Sequence, residues 1–212
     1  MKCLVVGLGV QGRKRRHVAG DGYAGCVDPF SDEADYKSIE QVPLGSYDAA
    51  MVCTPDSPKV ELLTYLLAHG KHVLVEKPLW AAGVEQLEKL ESLARSTGTV
   101  CYTAYNHRFE PHFVRMRDLI ASGELGRIYR CRLFYGNGTA RQVRDSAWRD
   151  EGAGVWPDLG SHLLDVCQYW FGTEGDDFTL MAADRFENRS PDHVVVAARG
   201  GRPGIELEMS LL

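Results

Sequence analysis

The first hundred residues alternate between short apolar runs and longer segments in which apolar residues recur every three or four positions. The runs KCLVVG, AGCVD, DAAMVCT, HVLVE and TVCYTAY are β-rich and nearly continuous in their apolar character, so each predicts a strand buried on both faces. Between them, PKVELLTYLLAHG carries Val60, Leu63 and Leu67 with Leu62 and Leu66 as a broad helical stripe, which Gly70 closes. AAGVEQLEKLESLARSTG repeats the pattern with Val84, Leu87, Leu90 and Ala94, closed by Gly98. Doubly buried strands alternating with helices predict a parallel α/β sheet covered on each side.

The period changes after about Gly123. GRIYRCRLFYGN sets Ile128, Arg130 and Arg132 against Tyr129, Cys131 and Leu133, the alternation of a longer strand. A helix is predicted over residues 155–171, followed by three strands, TLMAADRF, HVVVAAR and GIELEMSLL, separated by turn-rich ENRSPD and GGRPG. A helix followed by a run of strands predicts an α+β unit on an open, mostly antiparallel sheet. GIELEMSLL alternates Ile205, Leu207, Met209 and Leu211 against Glu206, Glu208 and Ser210, yet Leu212 ends the chain without a cap or polar tail. That pattern predicts a truncated second domain, or one completed by another copy pairing along the exposed strand edge, hence a homo-oligomer through the C-terminal sheet.

Composition narrows the partners. The net charge of -5 over 212 residues argues against nucleic acid, which is bound by strongly basic surfaces. No apolar stretch approaches the roughly 18 residues of a membrane span. The six cysteines form no CxxC pair and no His/Cys cluster at metal-ligand spacing, so they are expected to be reduced and no metal site is expected. Met1 leads directly into a strand with no cleavage site, and with reduced cysteines this points to the cytoplasm.

The stretch VVGLGVQGRKRRH, Val5 to His17, carries the first specific chemistry. Gly7, Gly9 and Gly12 follow a strand and open a helix, and Asp28 ends the next predicted strand. That acid stands about 20 residues on, where a dinucleotide-binding Rossmann fold places the acceptor for the adenosine ribose. Gly7 would allow the tight turn, Gly9 the backbone approach to the pyrophosphate, and Gly12 the close packing of helix on strand. A strand-to-helix turn without a nucleotide, or a methyltransferase loop, is the competing interpretation, and Asp28 weighs against it. The predicted organisation is a dinucleotide-binding domain over 1–122 and a partial substrate or oligomerisation domain over 123–212. A 2′-phosphate would sit badly against Asp28, and PFSDE adds no cation, so NAD is expected over NADP; charge from the RKRR run tempers the preference. Arg13, Lys14, Arg15 and Arg16 crowd the first turn of the helix, where each cation costs roughly 0.3 to 1 kcal/mol. They either sit beside a bound pyrophosphate or simply reach outward into water.

Glu76-Lys77-Pro78 after GKHVLV, together with YNHRFEP (Tyr105 to Pro111) and GAGVWPDLGSHLLD (Gly152 to Asp165), resembles the motif set of the Gfo/Idh/MocA oxidoreductases, the glucose-fructose oxidoreductase and inositol dehydrogenase family. The likeness runs from Val5 to about Phe171, with Ala153 standing between two glycines of the third motif. The resemblance implies a Rossmann domain followed by an open-sheet domain, and hydride transfer between a nicotinamide and a carbinol carbon, commonly of a sugar or cyclitol. Carried over residue by residue, it makes Lys77, Asp158 and His162 the catalytic candidates. It places the Cys53–Asp56 loop, CTPD, on the nicotinamide side. The expected cofactor contacts are then Gly7, Gly9, Val10, Gly12, Asp28, Thr54, Pro55, Glu76 and Lys77.

These residues also make chemical sense by themselves. Alcohol oxidation needs a base for the hydroxyl proton, and histidine titrates in the right range. Asp158 and His162 are four apart and share a face of a helix, so the acid can orient the imidazole. Lys77 stands at the carboxyl end of a predicted strand, where ligands of open α/β sheets bind. Alone, His162 reads more readily as a partly buried helix histidine than as a catalyst, and Asp158 could be an N-cap. Asp165 falls on the same face, as a second partner or a solvated acid. Trp156, Tyr169, Trp170 and Phe171 read as core. Asn106, Arg108 and Trp148 are candidate substrate contacts, although Arg108 could pair with Glu110 instead. The expected function is NAD-dependent oxidation or reduction at a hydroxyl or carbonyl carbon of a sugar, nucleotide-sugar or cyclitol. The alternatives are reduction of a non-sugar carbonyl or conjugated substrate, or an NAD(H)-binding sensor or scaffold without turnover.

Overall fold

The computed structural model describes residues 1–146, 149–172, 177–198 and 203–212 and divides the chain into two compact units, Met1–Ala104 and Tyr105–Leu212. The division falls earlier than the one expected after residue 122. The helix over Pro111–Ser122 packs on the helix over Ser161–Phe171, so it belongs with the second unit.

In the first unit β1 (Cys3–Val6), β2 (Tyr23–Val27), β3 (Ala49–Val52), β4 (His72–Val75) and β5 (Cys101–Thr103) form a parallel sheet in the order β2-β1-β3-β4-β5. All five lie where the apolar runs predict them. The strand order reverses between β1 and β3, so the carboxyl ends of these two strands border the crevice in which open α/β sheets take their ligands. α1 (Val10–Ala19), α2 (Lys59–Ala68) and α3 (Val84–Thr97) accompany the sheet. Leu63, Leu66 and Leu67 of α2 are fully buried in one core with Leu4, Val6, Ala50, Val52, Val73 and Val75. Each such leucine contributes roughly 2 kcal/mol through the area it removes from water. From α3 only the later half of the stripe, Leu90 and Ala94, reaches that core, while Val84 and Leu87 stay exposed. Gly98 closes α3 in the left-handed conformation, as its position predicts.

The second unit comprises α4 (Pro111–Ser122), β6 (Arg130–Gly136), α5 (Ala140–Arg144), α6 (Ser161–Phe171), β7 (Thr179–Asp184), β8 (His193–Ala198) and β9 (Gly204–Ser210). Its sheet runs β6-β9-β8-β7; β9 is antiparallel to β8 and parallel to β6. The sheet is therefore open and mostly antiparallel, as expected. β9 differs from expectation in its place: it lies between β6 and β8, not at an edge, so a second copy has no free edge of this strand to pair with. The alternation of GIELEMSLL explains why it can sit there. Ile205, Leu207 and Met209 face the core with Val194 and Val196, while Glu206 and Glu208 on the opposite face ion-pair with Arg130 and Arg132 of β6 at 2.6 to 3.0 Å.

Two buried carboxylates hold the turn between β7 and β8. Asp192 is fully buried and accepts N–H bonds from Phe186, Glu187 and Asn188, and Asp150 accepts from the Ser190 and Arg189 N–H groups and the Ser190 hydroxyl. The helix predicted over 155–171 is present in two pieces, a π-turn over Trp156–Gly160 and then α6.

Candidate functional site

The first unit builds a cradle at the carboxyl edge of its sheet. Gly7 leaves β1 with φ +92°, and a Cβ on it would stand 2.8 Å from the Cys53 carbonyl oxygen. The glycine loop and the loop after β3 thus meet at the reversal point of the strand order, and only a residue without a side chain fits between them. A Cβ on Gly12 would fall 1.8 Å from the Gly7 carbonyl oxygen, so α1 can begin this close to the turn only through glycine. Gly9 differs from both: a Cβ there would meet nothing within 4 Å, so the backbone faces open space. The tight turn at Gly7 and the close start of α1 at Gly12 follow the spacing, and the open face at Gly9 is where the approach to a pyrophosphate is expected. Val10, the first residue of α1, is exposed beside that opening.

Asp28 closes the other side of the loop. Its Oδ2 accepts the Leu8 N–H at 2.7 Å and its Oδ1 accepts the Phe30 and Ser31 N–H groups at 2.9 Å. Burial opposes the charge, but these donors and the Lys37 ammonium outweigh it and hold the carboxyl below its ordinary range. A carboxylate offers about four acceptor positions, so one remains for a ribose hydroxyl. In the loop after β3, the Thr54 hydroxyl is buried without a hydrogen-bond partner among the described residues. Cys53 beside it is pushed up to about 12, by burial first and then by the Glu76 charge, so it is a thiol and not a nucleophile. An open glycine backbone, an ionised ribose acceptor and an unanswered hydroxyl are what a dinucleotide would engage, and the residues present fit that group.

Three of the four cations that follow the glycine loop have a use that neither sequence interpretation names. Arg13 forms a bidentate pair with Glu33 at 2.7 and 2.9 Å. Arg15 pairs with Glu76 through Nε at 2.7 Å and Nη2 at 2.6 Å, and Arg16 lies over the Tyr23 ring. Only Gly12 of α1 is buried, so the helix has almost no apolar face and is fastened to its neighbours through these cations. Glu76, expected at the cofactor, is thereby occupied on one oxygen by Arg15. Lys77 follows it at the end of β4, and the Lys77–Pro78 peptide is cis.

The second unit gathers its chemistry around His162. Gly154 turns the chain into the π-turn with φ +56°, where a Cβ would strike the Pro191 carbonyl at 2.1 Å. Gly160 ends the turn against Met209 of β9, whose sulfur a Cβ would meet at 2.7 Å. These two glycines, and not Ala153 between the first pair, let the segment lie on the sheet. α6 then buries His162 to 7% exposure. Its ring stands 4.9 Å from His107, 5.8 Å edge-on from Tyr105 and 5.9 Å edge-on from Tyr135, between centroids. Burial raises both tyrosines, helped by the Asp165 charge at Tyr105 and by the Asp158 and Glu110 charges at Tyr135, so both keep their protons around the imidazole. Asp158, on the π-turn, accepts from Arg149 Nη2 at 3.3 Å.

The motif after β5 is arranged differently from expectation. Arg108, a candidate substrate contact, donates to both oxygens of the buried Asp165 carboxylate and not to Glu110. Asp165 is therefore not solvated, and both its oxygens are taken by Arg108. Asn106 donates to Glu110 Oε1 at 3.0 Å, and the same oxygen lies 2.9 Å from His107 Nδ1. His107, whose ring also stacks on Phe113 at 4.8 Å, is the residue that sequence reasoning passed over. The signal was available: His107 and Glu110 are three apart beside the 3-10 turn Asn106–Phe109, a spacing that aligns side chains in such a turn. Trp156 and Phe171 pack on the core as expected, whereas Tyr169 lies under the Arg108 and Arg117 guanidinium groups and Trp170 donates its indole N–H to the Phe113 carbonyl. Trp148 lies outside the described residues.

Comparison with known proteins agrees with both units. A family model for the oxidoreductase family with an NAD-binding Rossmann fold, Gfo/Idh/MocA, matches residues 26–105, and the Gfo/Idh/MocA C-terminal domain model matches residues 113–202. The chain is 34% identical over 128 residues to the uncharacterized oxidoreductase YdgJ of Escherichia coli (strain K12), covering 59% of this chain and 36% of that one. It is 25% identical over 193 residues to scyllo-inositol 2-dehydrogenase (NAD(+)) of Bacillus subtilis (strain 168), covering 82% and 55% respectively. The chain thus spans between 36% and 55% of the length of these two relatives. Among solved structures, GenD2 from gentamicin A biosynthesis, in complex with NAD, aligns with a TM-score of 0.84 over 99% of this chain and 65% of that one, at 22% identity, a likeness of fold.

Proposed function

The chain belongs to the Gfo/Idh/MocA oxidoreductase family, with an NAD-binding Rossmann domain, and from that membership we propose that it serves hydride exchange at a hydroxyl or carbonyl carbon of a sugar, nucleotide-sugar or cyclitol. The observation that carries the reading is the cradle: Gly9 open to solvent between two glycines that no side chain could replace, with the ionised Asp28 closing one side. Gly7, Gly9, Gly12, Asp28 and Thr54 would hold the dinucleotide. The nicotinamide supplies the hydride acceptor or donor. The chain's own residues manage the proton and the charge. Lys77 donates to the substrate oxygen and stabilises negative charge as it develops there. His162 Nε2 or Nδ1 takes the hydroxyl proton in oxidation and returns it in reduction, with Asp158, four residues earlier, as the acid that orients the imidazole. Tyr105 and Tyr135 exclude water from one side of the imidazole and leave their hydroxyls protonated. The sugar-like substrate class is supported by the inositol dehydrogenase among the relatives.

A panel of sugars, nucleotide sugars and cyclitols, each incubated with NAD and followed by NADH absorbance, tests the proposal. Turnover on at least one is expected. Tight NAD binding with no hydride exchange across the panel, in either direction, would replace the enzyme by a sensor.

A further inference from the structure

Lys59 opens α2 with its side chain 2% exposed. Two effects oppose that placement. Removing an ammonium from water is costly, and the first turn of a helix is the positive end of its dipole. Packing alone gives no reason for a cation there, since a buried ion pair replaced whole by apolar side chains of similar volume is often neutral or stabilising. The partners supply the reason. Lys59 Nζ donates to Asp56 Oδ1 at 2.7 Å and to the Pro78 carbonyl oxygen at 2.7 Å. Asp56 belongs to the loop after β3, and Pro78 follows Lys77 in the loop after β4. One ammonium thus fastens together two loops that leave paired strands at the carboxyl edge of the sheet. The first of these loops carries the unanswered Thr54 hydroxyl and abuts Gly7.

We propose that Lys59 is a positioning residue: its buried ammonium holds the Cys53–Asp56 and Glu76–Pro78 segments in the arrangement that the nicotinamide half of the dinucleotide requires, without touching the cofactor. This rests on the dinucleotide reading above. Without Lys59, Asp56 turns to water at little cost, because its side chain is already 41% exposed, and the Pro78 carbonyl loses its donor. The adenosine half is held elsewhere, by Asp28 and the glycine loop, and is unaffected.

The test is calorimetric titration of wild type and Lys59→Met with NADH and, separately, with ADP, which carries the adenosine and pyrophosphate without the nicotinamide riboside. The NADH Kd is expected to rise on the order of tenfold, the worth of a lost hydrogen bond to a charged group, while the ADP Kd stays within about twofold. Thermal unfolding of Lys59→Met reports separately on the fold, since a loss of fold alone would weaken NADH and ADP together. Equal NADH affinity in the two proteins overturns the proposal, as does parallel weakening of NADH and ADP. A wild-type chain that binds neither ligand overturns the dinucleotide reading and this proposal with it. Should Lys59→Met fail to fold, Asp56→Asn breaks the same tie from its exposed end. A smaller loss confined to NADH supports the proposal there, and unchanged NADH affinity overturns it.

Discussion

The Arg108 guanidinium grips the Asp165 carboxylate through Nε and Nη2 at 2.7 to 2.9 Å, joining the 3-10 turn after β5 to α6 across 57 positions of sequence. Asp165 is buried on α6, and Arg108 is the partner that makes its charge tolerable there. Removing one member leaves the other charge unanswered. Asp165→Ala is expected to lower the unfolding free energy by roughly 2 to 3 kcal/mol in urea titration, the usual cost for a buried pair reduced for the partial exposure of Arg108. A loss well under about 1 kcal/mol would show the pair to be an ordinary surface contact and return Arg108 to the substrate.

Asp28 is expected to govern cofactor choice. Its ionised carboxylate and the Glu33 that occupies Arg13 both oppose a 2′-phosphate, so NADH is expected to bind more tightly than NADPH. Asp28→Ala should narrow that gap. Its three N–H partners also lose their acceptor, so some weakening of both cofactors accompanies the change. Calorimetric titration of each cofactor against each protein decides it, and equal or inverted wild-type affinities would remove Asp28 as the discriminator.

His162→Ala is expected to lower turnover by roughly a hundred- to ten-thousand-fold, with NADH affinity nearly unchanged. Lys77→Ala should damage both kcat and KM, because its ammonium serves the bound oxygen as well as the charge that develops on it. Steady-state kinetics on any accepted substrate between about pH 6 and 9 separates the two, in the range where a histidine base titrates. Full activity in the His162 variant would leave Lys77 as the proton acceptor.

Acid stability should report on Asp150. The Ser190 N–H bond lowers its pKa most, burial opposes, and the Arg189 N–H and Ser190 hydroxyl add to the lowering. A carboxyl whose folded pKa lies below its unfolded value stabilises the fold above the unfolded value, about pH 4, and loses that contribution as pH falls through the folded one. Asp150→Asn should therefore be less stable than wild type at neutral pH and converge with it once the pH has fallen through the lowered folded pKa, in thermal melts across the acid range. Parallel curves at every pH would mean that the carboxylate's charge plays no part in holding the β7–β8 turn.

How much of this was legible beforehand depended on the reach of the interaction. The five strands of the first sheet, the α2 stripe and the glycine loop follow from periods of a few residues and from the stereochemistry of Gly7 and Gly12, which any fold must respect locally. Asp28 was legible for the same reason, being one strand away from the loop it serves. The alternation of GIELEMSLL correctly divided its core face from its charged face, but alternation is the same for an edge and an interior strand. Only the parallel pairing with β6, set by Arg130 and Arg132 opposite Glu206 and Glu208, decided that β9 lies inside. Long-range charge pairing escaped for a related reason. Arg108 could be matched with a nearby glutamate on the page, whereas Asp165 became its partner only when α6 was laid beside the turn. Lys59 carried no signal at all in a sequence where most lysines are solvated. Its burial was decided by two loops meeting at the end of a sheet, which places a carboxylate and a carbonyl 2.7 Å from one ammonium.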